Sequence, residues 1–107
     1  MDNQQKQTAA LTTIKSLLGT PEGEDNVELF VEHHLEELEA DYFSKTYGTP
    51  KPEASQMLSS LVLVSSWSYE DDGIINVFDF SLPQKVTDYV LSVRFSGDDV
   101  EEVSMES

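Results

Sequence analysis

His33 and His34 are the only imidazoles in this 107-residue chain, and with Glu37 one helical turn beyond His33 they are its best candidates for acid–base or metal chemistry. The His33–Glu37 spacing would hold half of a zinc site. No cysteine and no further histidine exist to complete it. His34 falls between Val31 and Leu38 on an apolar stripe, where a hydrogen-bonded, partly buried histidine is expected, while His33 is free to act as a pH-sensitive contact. Serines are plentiful but lack a credible base, and neither a nucleophile elbow nor a glycine-rich phosphate loop is present. Asp71-Asp72-Gly73 lacks the spaced oxygen ligands of a calcium loop and reads as a turn. These residues predict no enzyme, no metal and no cofactor.

Charge is the more informative feature. Six Lys and Arg face 21 Asp and Glu, a formal net charge of −15. Nucleic-acid binding proteins neutralise phosphates with basic side chains, so this balance argues against nucleic acid and anionic membranes and in favour of a basic protein partner. From Gly19 to Asp41 there are nine acidic residues and no Lys or Arg. Within that run Glu28, Glu32, Glu36 and Glu39 recur at intervals of four, four and three. That spacing sets them along one helix face with about 6 Å of rise per step. Like charges so placed repel mildly, and a helix shaped for stability alone would intersperse lysine. The row matches a track of phosphates in spacing and sign, and would fit a basic groove meant for nucleic acid.

The elements that hold these residues follow from periodicity. Leu11, Ile14, Leu17 and Leu18 predict a first helix over 8–18, stopped by Gly19 and Pro21. Gly19 to Glu24 reads as an exposed linker. Asp25 and Glu28 form a capping-box pattern for a second helix, whose stripe of Val27, Phe30, Val31, His34, Leu35 and Leu38 runs on through Tyr42 and Phe43 to Gly48. Pro52 opens a short third helix ending near Leu58. From Leu61 the period becomes two. Strands are expected over 61–69, 74–82, 88–95 and 100–105, with Leu61, Leu63, Trp67 and Tyr69 on one face of the first. The fold class is therefore α+β: two or three N-terminal helices packed on a three- or four-stranded antiparallel meander sheet. One domain spans 1–107, with 1–7 flexible, 8–58 helical and 61–105 forming the sheet. The second sheet face, with Val62, Val64 and Val90 among serines, is partly apolar. Met1 to Gln7 lacks the basic and apolar regions of a secretory signal and no apolar run is long enough to span a bilayer, which predicts a cytoplasmic protein.

Three ordered segments carry a family resemblance: Val31-Glu32-His33-His34-Leu35-Glu36-Glu37-Leu38, Asn76-Val77-Phe78-Asp79-Phe80, and Thr87 to Phe95 with the ending Val103-Ser104-Met105-Glu106-Ser107. Together they resemble the uncharacterised bacterial family known as domain of unknown function two thousand and four, over about Val27 to Ser107. The resemblance implies a bacterial source and the order helix, then meander. It supplies no catalytic residues. Members carry an additional β-rich segment ahead of the helix, where this chain has the stretch Leu11 to Leu18.

Acidity, small size and missing catalytic groups together lead to the expectation of an immunity or antitoxin-type protein that neutralises a basic toxin domain, a nuclease above all, by occluding its active site. The expected contacts are Glu28, Glu32, Glu36 and Glu39, with Asp71 and Asp72 as rim charges and Trp67 as an aromatic anchor. The alternative is a non-enzymatic adaptor or homodimer whose second sheet face is the interface and whose acid serves solubility.

Overall fold

The computed structural model describes residues 2–68 and 73–107. Four helices precede four strands: α1 (Asn3–Leu17), α2 (Val27–Glu37), α3 (Ala40–Tyr47), α4 (Ala54–Ser59), β1 (Val62–Trp67), β2 (Val77–Ser81), β3 (Val90–Ser96) and β4 (Asp99–Glu106). The strands form one antiparallel sheet in the order β1-β2-β3-β4, the expected α+β meander. Phe78 and Phe80 on β2 and Leu91, Val93 and Phe95 on β3 alternate onto one face, each at most 1% exposed. The helices cover that face, with α1 and α2 against β4, α2 also against β3, and α4 against α1 and α2.

α1 starts earlier than its apolar pattern suggests. Asp2 and Gln5 form a capping box, with Gln5 N–H donating to Asp2 Oδ1 at 2.8 Å and Asp2 N–H to Gln5 Oε1 at 3.0 Å. The segment 1–7, expected to be flexible, is thus helical from Asn3. Its Lys6 is buried, with Nζ donating to the Ile75 carbonyl at 3.1 Å and lying 6.0 Å from the Phe95 ring centre. The linker after α1 is also less open than expected. Pro21–Gly23 forms a 3-10 turn whose Gly23 is buried against Leu17, so close that a Cβ there would sit 2.1 Å from the Leu17 carbonyl oxygen.

α2 is capped by Asn26 rather than Asp25. The Asn26 side-chain oxygen accepts from Val27 N–H, and its Nδ2 donates to the carbonyls of Glu22 at 3.0 Å and Val103 at 3.2 Å. An aspartate cannot donate to those two carbonyls, which is why the amide holds the position. The second helix also ends sooner than its stripe implied. Leu38 turns extended (φ −92°, ψ 150°), Glu39 becomes the N-cap residue of α3, and the new direction carries Phe43 into the core. α3 stops at Gly48, whose left-handed conformation (φ 77°, ψ 9°) terminates it with N–H donating to Ser44 O. α4 begins at Ala54 behind a second capping box, between Glu53 and Gln56.

β1 departs from simple alternation. Leu63 pairs with Phe80, but Ser65 pairs with Asp79, so Val64 is an extra residue in a β-bulge. Beyond it the phase flips: Ser66 lies opposite Phe78 and Trp67 opposite Val77. Trp67, expected on the same face as Leu63, therefore projects from the sheet face away from the helices. Tyr69 lies outside the described residues.

Candidate functional site

Two surfaces hold the residues singled out above, and they lie on opposite sides of the sheet. The first is the outward face of α2. Val27, Phe30, Val31 and His34 are buried, which fixes the rotation of the helix about its axis. At 100° per residue, Glu32 and Glu36 then point away from the core, while Glu28 lies on the flank of the helix. Glu32 and Glu36 are exposed and Glu28 half-buried. Glu39 also is exposed, but the break at Leu38 takes it off this row and onto the cap of α3. No ion pair among the described residues involves any of the four. Leu29 shares this face, 46% exposed and one turn from Glu32. It is an apolar side chain set among carboxylates, a feature the sequence reading passed over, although the helical wheel that aligned the glutamates also places Leu29 beside them.

His34 anchors this helix. Its Nδ1 is 2.6 Å from the Phe30 carbonyl oxygen and its Nε2 is 2.9 Å from Thr87 Oγ1. A carbonyl only accepts, so Nδ1 carries the proton and Nε2 accepts from the Thr87 hydroxyl. Thr87 Oγ1 in turn accepts from Tyr89 N–H at 3.2 Å. Burial holds the His34 pKa below the ordinary histidine value, the Phe30 hydrogen bond opposing this and the neighbouring His33 adding to it. The imidazole is thus a neutral, satisfied strut between α2 and the segment entering β3. Among the described residues, no group of three or more His, Cys, Asp or Glu side chains comes together to hold a metal ion.

The second surface is the open sheet face. Cross-strand pairing lines up Trp67, Val77, Arg94 and Glu102 in one row and Ser65, Asp79, Ser92 and Ser104 in the next. All of these but Ser65 line a shallow concavity of about 450 Å³. Asp79 Oδ2 accepts from Ser65 Oγ at 2.8 Å and from Trp67 Nε1 at 3.3 Å, which pins the indole at the rim. Arg94 pairs with Glu102 and, at 3.5 Å, with Glu101. Trp67 is 47% exposed. It does not join the α2 glutamates in one contact surface, because the sheet stands between them. The expected rim charges Asp71 and Asp72 lie outside the described residues.

Neither a family model, nor a curated protein, nor a solved structure matches the chain. Among the described residues, no helix is long and apolar enough to cross a membrane.

Proposed function

We propose that this chain binds a cationic protein partner through the outward face of α2, in the manner of an immunity or antitoxin protein that covers the basic active site of a toxin domain such as a nuclease. The observation that carries this reading is the row Glu28, Glu32, Glu36, held in line around exposed Leu29 and paired with no base among the described residues. A row of carboxylates about 6 Å apart raises the association rate with a positive groove, and the effect weakens with salt. Leu29 supplies the desolvated contact that slows dissociation, a role first expected of Trp67. Glu39 contributes from the adjoining cap rather than from the row itself.

The direct test is co-expression with the product of the neighbouring gene, scoring both a salt-sensitive complex and protection of the cells. Replacing Glu32 and Glu36 by Lys should abolish both, and Leu29→Ala should shorten the lifetime of the complex without changing its salt dependence. Protection that survives the double charge reversal would remove α2 from the contact.

A further inference from the structure

β1 is an edge strand of the sheet, with no strand beyond it among the described residues, and the chain around it is unlike any other part of this protein. From Ala54 to Ser68 there is not one charged residue, in a chain of net charge −15. The other edge, β4, carries Asp99, Glu101, Glu102 and Glu106. Natural sheets block free edges with charge, and β4 is blocked in this way while β1 is not. Instead β1 exposes apolar side chains, with Val62 42% and Val64 49% exposed beside Trp67 at 47%.

We infer that β1 is the contact through which two copies of this chain pair, edge to edge and antiparallel, to extend the sheet from four strands to eight. The occupant follows from charge. A second copy is repelled wherever carboxylates face one another, and the uncharged β1 edge is where two such chains meet with the least repulsion. The bulge makes the edge self-complementary. Val62 pairs with Ser81 and Trp67 with Val77, so the phase flip at Val64 sets both Val62 and Trp67 on the open face, where strict alternation would have separated them. A two-fold axis passing between Val64 and Ser65 lays Val62 of one copy across from Trp67 of the other. This gives two aliphatic–aromatic cross-strand pairs, a favoured combination. The α2 glutamates lie on the far side of the sheet from this open face and stay exposed, so a paired molecule presents two acidic rows. The contact is small for a protein interface and forms a reversible dimer rather than an obligate one.

This inference is independent of the cationic-partner reading and has the opposite salt signature. Sedimentation equilibrium of the full chain, from micromolar to sub-millimolar protein in low and high salt, tests it. The mass should rise toward twice the monomer, more steeply in high salt because screening weakens the repulsion between two acidic chains. Emission from Trp67, the single tryptophan, should shift to the blue along the same isotherm. Val62→Lys and Val64→Lys replace exposed side chains and should each remove the association while leaving the circular dichroism and melting temperature intact. Ser104→Lys, on the open face but at the opposite edge of the sheet, should not. A chain that stays monomeric at every concentration and salt overturns the inference. So does a dimer that survives both lysine substitutions on β1 but is lost with Ser104→Lys, since that dimer would meet through the open face or the β4 edge.

Discussion

Replacing Glu32 by Gln should make the free protein more stable and its binding weaker, and the size of the first effect follows from the geometry of α2. Glu32 stands between Glu28 and Glu36, each one turn away, or about 6 Å along the helix. Two unit charges at that separation in water repel by about 0.7 kcal/mol. A screening length of about 8 Å at physiological salt reduces this to roughly 0.3 kcal/mol per neighbour. Two neighbours give about 0.6 kcal/mol, in line with the few tenths measured for like pairs at this spacing. Gln and Glu have nearly equal helix propensity, so little else changes. The melting temperature should rise by about 3 to 5 °C in a domain of this size. Glu32→Lys, which turns both repulsions into attractions, should give about twice the gain. In about 1 M salt, where the screening length is near 3 Å, most of the difference should vanish. Thermal unfolding of the wild type and both variants in low and high salt measures this directly. A Glu32→Gln protein that melts lower than wild type, or gains stability that salt does not reduce, would show that the row is not a repulsive, solvent-facing array.

Other consequences are equally specific. Gly23→Ala places a methyl group 2.1 Å from the Leu17 carbonyl oxygen and 2.9 Å from its carbon, and should cost about 1 to 3 kcal/mol in urea unfolding. An unchanged midpoint would mean that the turn relaxes freely. Thr87→Val leaves His34 Nε2 without its donor in a buried site and should cost about 1 to 2 kcal/mol. The pH dependence has a fixed sign. Because burial lowers the His34 pKa in the folded state below the unfolded value of 6.5, the unfolded chain binds more protons in that window. The His34 contribution to stability is thus fully present above pH 6.5 and declines as pH falls below it, by at most about 1.4 kcal/mol per unit. Urea titrations from pH 7.5 to 5.5 should show this fall in the wild type and not in His34→Gln, and a flat wild-type profile would contradict the neutral-strut assignment.

The order of elements was legible because its signals are local. The change from helical to two-residue periodicity at Leu61 marks the start of the sheet, and Gly48 marks the end of α3. What escaped has its cause far away in the chain. Asn26 displaces Asp25 as the cap because it reaches Val103, and the helical start at Asn3 brings Lys6 to Ile75; no neighbouring residue announces either contact. The break at Leu38 contains neither glycine nor proline, so the stripe from Val27 to Phe43 read as one helix where packing made two. The bulge fell within Val62-Leu63-Val64, three β-formers whose alternation gives no hint of a slip, and that slip sent Trp67 to the opposite face. Of the expected contact residues, Glu28, Glu32 and Glu36 keep their alignment, Glu39 leaves the row, and Trp67 belongs to another surface. Pattern reading aligns residues within an element, whereas register and breaks between elements are set by tertiary contacts.

The central claim is that the outward face of α2 receives positive charge. Amide chemical-shift mapping with a polyarginine peptide, at low and at high salt, tests it most directly. The account predicts shifts concentrated between Val27 and Glu39, suppressed by salt and absent when Glu28, Glu32 and Glu36 are all replaced by Gln. Shifts centred on β4 or the β3–β4 turn, and persisting in the triple variant, would contradict it.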